Sequence, residues 1–244
     1  MRQGKFQIIE NIPLARDIMS LRLGGDTGAI VRPGQFVNIQ VEGCFLRRPL
    51  SVCDWDEGSL TLVYRIAGRG TELLAKMKKG SLDLLTGLGN GFDTAISGDR
   101  PLLIGGGLGF TPLYALAKSL IKEGKRVQVI LGFASKEQAV YVDKFKALGC
   151  EVSVCTEDGS LGIKGYVTRA MEGLDYSHFY TCGPEAMFRA VSDCSVTSGQ
   201  FSFEQRMGCG FGACMGCSCE TLYGVKRICK EGPVLMKEEI KWRT

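Results

Sequence analysis

Three cysteines fall in the order Cys209-x4-Cys214-x2-Cys217, and a fourth, Cys229, follows after eleven intervening residues. Whatever fold this chain adopts must close that stretch into a loop that draws four sulfur atoms together. The order is one used by 2Fe-2S clusters, in which four thiolates complete two tetrahedral irons, two per iron. The glycines at 208, 210, 212 and 216 permit positive φ and let backbone N–H groups approach the sulfurs. A structural zinc site is the plainer alternative, but such sites favour two CxxC knuckles. Here the Cys209/Cys214 spacing is too wide for one, and Cys229 stands alone. Cys219 breaks the pattern and reads as a non-ligand. The remaining cysteines, Cys44, Cys53, Cys150, Cys155, Cys182 and Cys194, are expected to be small buried hydrophobes.

The wider composition narrows the chemistry. With 244 residues, 45% of them hydrophobic, the chain can build one large core or two to three small ones. A formal net charge of only +4, spread along the chain, offers neither a nucleic-acid footprint nor a polybasic membrane patch. The N-terminal stretch has no secretory pattern, and nowhere do about eighteen apolar residues run together. A cytoplasmic location is therefore expected, where eleven cysteines point to metal or redox use rather than a disulfide scaffold. The single histidine, His178, excludes His-rich metal sites, and without a GxSxG elbow a Ser-His-Asp triad has no support.

Residues 1–98 read as β-rich: "KFQIIENI", "GQFVNIQV", "LSVCDW" and "SLTLVYRI" are short runs split by Gly, Pro, Asp and Asn, the texture of a small antiparallel barrel. One helical pattern, Thr71 to about Lys78, interrupts them, with Thr71 as its expected N-cap. From Asp99 strands alternate with helices through residue 200, which predicts a doubly wound parallel α/β sheet with ligands at the C-terminal strand ends. Residues 201–244 are the cysteine-rich tail. The fold class is α+β multidomain.

Within this frame three further motifs attract anions. "RRPLS" (Arg47 to Ser51) offers a guanidinium and a hydroxyl, though an Arg-Pro pair is equally an ordinary strand edge. "GRGTELL" opens the helical pattern, where free N–H groups suit a pyrophosphate. "LLIGGGLGFTPL" (102–113) and "TCGPEAM" (181–187) are glycine turns at strand ends; each alone could be tight packing.

Taken in order, "RRPLS", "GLGNGF" (87–92), "TEDGSLGIKGYVT" (156–168) and "QRMGCGFGACMGCSC" (205–219) resemble the ferredoxin-reductase superfamily. Within it they resemble the electron-transfer subunits of NAD-linked, two-subunit dihydroorotate dehydrogenases of the B type, over essentially the whole chain. The resemblance implies FAD held by Arg48, Pro49, Leu50 and Ser51, by Val63, Tyr64 and Arg65, and by Gly70 and Thr71. It implies NAD, as an exchangeable substrate, at Gly105, Gly106, Gly107, Gly109, Cys182, Gly183 and Pro184, and a 2Fe-2S cluster on Cys209, Cys214, Cys217 and Cys229. Leu50 departs from the superfamily, which usually has Tyr there. The implied partner is an FMN-containing catalytic subunit that oxidises dihydroorotate in pyrimidine biosynthesis, in a heterotetramer of two of each, with electrons passing to NAD+. No nucleic acid and no membrane are expected. The small subunit of a related iron-sulfur flavoprotein, such as an NADH-dependent ferredoxin:NADP oxidoreductase or a sulfide dehydrogenase, remains the alternative, and a zinc-binding module lies further off.

Overall fold

The computed structural model describes residues 1–242. The first part is a closed antiparallel barrel of β1 (Arg2–Ala15), β2 (Ile18–Gly24), β3 (Phe36–Gln40), β4 (Arg48–Trp55), β5 (Ser59–Arg65) and β6 (Ser81–Leu88), in the order β1-β2-β5-β4-β3-β6. Period-two alternation fills it. On β3, Val37 and Ile39 enter the barrel core with Leu21, Leu62 and Leu84, whereas Phe36 and Asn38 look toward the rest of the molecule.

A single helix, α1 (Arg69–Lys76), sits between β5 and β6. It begins before Thr71, contrary to the sequence expectation, and Gly68 holds the N-cap position. Thr71 lies inside the first turn, where its hydroxyl accepts from the Ala67 N–H and donates to the Gly68 carbonyl, both at 2.9 Å. The hydroxyl still braces the helix start, but from within.

The second part alternates β7 (Pro101–Gly106), α2 (Phe110–Lys122), β8 (Gln128–Phe133), α3 (Val142–Ala147), β9 (Glu151–Thr156), β10 (Ile163–Lys164), α4 (Val167–Met171), β11 (His178–Cys182), α5 (Glu185–Cys194) and β12 (Gly199–Ser202). The tail adds a hairpin of β13 (Ser218–Thr221) and β14 (Gly224–Arg227), and then β15 (Val234–Met236). The large sheet runs β10-β9-β8-β7-β11-β12-β15. The chain leaves β7 in both directions, which is the doubly wound pattern. Strand pairs within it are parallel, except that β15 joins β12 antiparallel, Phe201 opposite Leu235. β12 straddles residues 200 and 201, where the sequence texture changes, so the tail completes the sheet.

The helix expected after β8 is reduced to α3, because Tyr141 takes a left-handed φ of 68°. Its ring is buried, stacked on Phe110 at 4.8 Å and edge-on to Tyr114. α2 packs against the barrel: Ile18, Cys53 and Val63 share one apolar core with Phe110, Leu113 and Leu116. Lys118 closes its edge on Asp54 at 2.6 Å. Among the described residues no helix is long and apolar enough to cross a membrane.

Candidate functional site

A cleft of about 500 Å³ opens where the barrel, the sheet and the tail meet. β4 lines it with Pro49, Leu50 and Ser51, β5 with Val63, Tyr64 and Arg65, and the turns after β7 and β11 with Gly106, Gly107, Gly109, Gly183 and Pro184. Motifs separated by more than a hundred residues are thus drawn to one wall. Tyr64 reaches it only by its main chain, since its hydroxyl turns into the barrel and donates to Asn11 Oδ1 at 3.2 Å. Burial there pushes its pKa up to about 12.

Arg48, Gly70, Thr71, Gly105 and Cys182 stand outside this lining. Arg48 lies across the start of α1, so close that a Cβ on Gly70 would fall 2.0 Å from its Nε. A guanidinium and the free N–H groups of a helix start therefore form a separate cationic corner beside the cleft. Gly105 packs on Phe110. Cys182 is buried; burial pushes its thiol pKa up and the Glu204 carboxylate adds to this, against a hydrogen bond with Ser202. It is a neutral thiol.

Close packing explains one glycine of the β7 turn. A Cβ on Gly109 would sit 1.9 Å from the Cys182 carbonyl oxygen, so the β7 and β11 turns touch backbone to backbone. Gly107, by contrast, has φ +55° and nothing within 4 Å of its Cβ position. Its open face borders both the first cleft and a second cavity of about 600 Å³ that shares Gly106, Gly107 and Pro184. This second cavity runs along Gly132, Phe133, Glu157 and Val167, the C-terminal strand ends where α/β sheets bind nucleotides.

The cleft also has walls outside the motifs, Phe36, Ser202, Phe203, Glu204 and Pro233, and the motif residues Thr111, Gln205 and Met207, which were not singled out, line it as well. Ser202 to Gln205 lie at the C-terminal end of β12, so recognising that short strand would have flagged them. Phe36 and Phe203 bring aromatic surface to a cleft whose β4 position holds Leu50.

Beside the cleft the four cysteines gather in two pairs. Cys217 and Cys229, each 2% exposed, belong to the apolar cluster that contains Phe36 and Ile228. The Cys229 N–H donates to Cys217 Sγ at 3.4 Å. Cys209 and Cys214 form the outer pair: the Cys209 N–H donates to Cys214 Sγ at 3.4 Å, and the Ala213 and Cys214 N–H groups donate to Cys209 Sγ at 3.2 and 3.4 Å. Burial alone pushes the Cys209 thiol up, but the N–H groups of Phe211, Cys214 and Ala213 outweigh it and lower its pKa to about 6. In the inner pair, burial and the Cys217 thiol push Cys229 up to about 12.

Thiols pre-sorted two by two, with N–H groups aimed at sulfur, fit a two-iron cluster. Of the four loop glycines only Gly210 and Gly212 take positive φ, and Met215 does so as well. Gly208 and Gly216 instead leave room for a sulfur, since Cβ atoms there would lie 3.1 and 3.5 Å from Cys214 Sγ. Cys219 stands on β13, outside both pairs. Of the other six cysteines, Cys53, Cys150, Cys155 and Cys182 are buried as expected, but Cys44 is half-buried and Cys194 is exposed, at the end of α5 where no layer covers it.

Known proteins match this arrangement. Residues 204–241 match the iron-sulfur cluster binding domain of dihydroorotate dehydrogenase B, and residues 103–193 an oxidoreductase NAD-binding domain. The dihydroorotate dehydrogenase B (NAD(+)) electron transfer subunit of Bacillus mycoides is 41% identical, over 98% of this chain and 99% of that protein. Its counterpart in Fusobacterium nucleatum is 39% identical, over 95% of this chain and 96% of that protein. Among solved structures, that of an NADH-dependent reduced ferredoxin-NADP oxidoreductase superposes with a TM-score of 0.87 at 29% identity, over 97% of this chain and 90% of that one. A ferredoxin NADP+ reductase from Neisseria gonorrhoeae with bound FAD and NADP shares the fold, with a TM-score of 0.70 at 17% identity, over 80% of this chain and 90% of that one. Near-full-length identity of this order, together with a cysteine loop of the matching kind, means that the chain belongs to the family of dihydroorotate dehydrogenase B electron-transfer subunits.

Proposed function

We propose that this chain carries electrons, released when a partner catalytic subunit oxidises dihydroorotate to orotate, on to NAD+ in pyrimidine biosynthesis. The observation that carries the reading is the position of Phe36. It lines the cleft and belongs to the same apolar cluster as Cys217 and Cys229, while the cleft shares its Gly106–Gly107 wall with the second cavity.

FAD is assigned to Pro49, Leu50, Ser51, Val63, Tyr64 and Arg65, with its phosphates at the corner made by Arg48, Gly70 and Thr71. NAD is assigned to Gly105, Gly106, Gly107, Gly109, Cys182, Gly183 and Pro184, and a 2Fe-2S cluster to Cys209, Cys214, Cys217 and Cys229. When bound, these groups supply the conversion between two-electron hydride chemistry and one-electron transfer. The chain's own residues position and insulate. Ser51 offers its hydroxyl to the ring edge, Arg65 and Arg48 counter phosphate charge, and Phe36 and Phe203 exclude water from the cleft. Cys182, as a neutral thiol, acts neither as a base nor as a nucleophile.

The segments 1–98, 99–200 and 201–244 then correspond to the flavin, nucleotide and cluster parts. The partner carries FMN, the assembly holds two of each subunit, and the complex is cytoplasmic. The outer cysteine pair and the exposed Phe211 and Met215 face that partner.

Anaerobic purification followed by a visible spectrum, before and after NADH, is the test. Flavin and iron-sulfur absorbance that bleach with NADH support the reading; protein lacking flavin, iron and acid-labile sulfide overturns it. A second reading, the small subunit of a ferredoxin:NADP oxidoreductase, draws on the 0.87 TM-score match. Co-purification with an FMN protein that consumes dihydroorotate separates the two.

A further inference from the structure

The peptide groups of the cysteine loop share an orientation. The Cys209 N–H is directed at Cys214 Sγ, and the Ala213 and Cys214 N–H groups at Cys209 Sγ. Their carbonyls then point away from sulfur, and two carbonyls of the loop are held by side chains from other parts of the fold. Arg227, on β14, donates from Nη1 to the Gly212 carbonyl at 2.7 Å. Asn38, on β3 of the barrel, donates from Nδ2 to the Cys209 carbonyl at 3.0 Å.

A peptide unit is planar and rigid, so fixing its oxygen fixes the direction of its N–H. The Gly212 carbonyl and the Ala213 N–H belong to one such unit, and that N–H reaches Cys209 Sγ at 3.2 Å. Arg227 is itself aimed: Glu231 takes its Nε and its main-chain N–H, each at 2.9 Å, and pairs with Nη2. The guanidinium charge is thereby balanced locally, which leaves geometry as its contribution.

Asn38 supplies an independent observation. It is 1% exposed, and its Oδ1 is buried without a partner. A side chain kept only for packing would not retain an amide half of which is unsatisfied. A Cβ on Gly210 would fall 2.3 Å from Asn38 Nδ2, so the loop presents bare backbone where the amide meets it.

We propose that Arg227 is a positioning residue for the cluster, turning the Ala213 N–H onto Cys209 Sγ and so raising the cluster's reduction potential, while Asn38 anchors the same loop to the barrel. The inference rests on the cluster reading above. Hydrogen bonds to sulfur are among the determinants of iron-sulfur potentials, and residues that hold ligands in place typically govern metal retention by 10- to 100-fold.

The test uses the full chain, purified anaerobically with its cluster, as wild type, Arg227→Lys and Asn38→Leu. Potentials are read by redox titration followed by electron paramagnetic resonance, and iron release to EDTA is timed. Arg227→Lys keeps the charge but loses the fork, so a more negative potential and iron release roughly tenfold faster, with flavin content unchanged, is the expected result. Asn38→Leu, which releases the loop from the barrel, should speed iron release. Variants that keep the cluster with wild-type potential and release rate overturn the proposal while leaving the cluster reading intact. If Asn38→Leu does not assemble, the solvent-accessible Arg227→Lys decides alone. Wild-type chain without iron overturns the cluster reading itself, and the proposal with it.

Discussion

Asn90 grips Val234 at both ends of its backbone: the Val234 N–H donates to Asn90 Oδ1 at 3.0 Å, and Asn90 Nδ2 donates to the Val234 carbonyl at 2.8 Å. The same amide reaches the Glu231 carbonyl at 3.1 Å, and the Asn90 N–H reaches the Gly232 carbonyl at 2.7 Å. The turn "GLGNGF" at the end of β6 is therefore the dock on which the tail is fastened to the barrel. Asn90→Ala removes the side-chain contacts and is expected to cost about 1–2 kcal/mol of stability. Urea unfolding checks this, and an unchanged midpoint would show that the tail holds without the dock.

Two glycines two positions apart should respond differently to the same methyl group. Gly109→Ala places a Cβ 1.9 Å from the Cys182 carbonyl, which backbone cannot yield cheaply, and the expected loss is roughly 3 kcal/mol. Gly107→Ala meets open space but a φ of +55°, so its cost is only about 1–2 kcal/mol. Thermal melts of the pair rank them, and the reverse order would contradict the contact between the two turns.

His178 gives the fold a pH dependence. It is buried, and its Nε2 lies 3.3 Å from the Gln200 amide nitrogen, which also donates to the Asp93 carbonyl at 2.9 Å. An amide nitrogen only donates, so Nε2 accepts and the ring is the neutral Nδ1–H tautomer. Burial holds its pKa below the ordinary 6.5, against the pull of Glu238 and Asp93. The unfolded chain therefore binds the proton first, and stability falls as pH drops below the unfolded value. Between about pH 7 and about pH 5.5 the wild type should lose more stability than His178→Gln. Equal slopes would mean that the imidazole takes up its proton without penalty.

Removal of one outer thiol separates the two redox centres. Cys214 is exposed, so in the cluster-free chain Cys214→Ser should shift stability by no more than about 0.5 kcal/mol. Iron, sulfide and the cluster signal should be lost, while flavin absorbance and NADH-dependent dye reduction persist. Loss of flavin along with iron would instead mark the tail as a prop for the cleft.

That Cys209, Cys214, Cys217 and Cys229 are drawn together in two pairs could be read from the chain because the first three are close neighbours in sequence and a cluster's geometry leaves few spacings. The barrel and the alternating sheet were legible from period and punctuation. The walls formed by Phe36 and Phe203 were not, because each reads as an ordinary hydrophobe until the start of β3 and the end of β12 border one cleft. β15 is three residues long and is a strand only because β12 offers it a ladder. Thr71 carried a sound capping signal, yet the helix starts earlier, with Gly68 at the N-cap and Gly70 in the first turn where Arg48 leaves no room for a side chain. Asn38 gave no signal at all, since one buried amide on an apolar strand acquires meaning only from the loop it touches.

The antiparallel seam between β12 and β15 ties assembly of the metal-binding end to the integrity of the dinucleotide half. A chain cut off after residue 202 would bare a row of unpaired main-chain donors and acceptors on Gly199–Ser202, a ready template for strangers. Shortened forms made to isolate the nucleotide half should therefore precipitate or self-associate, and adding back a peptide spanning residues 230–242 should rescue their solubility.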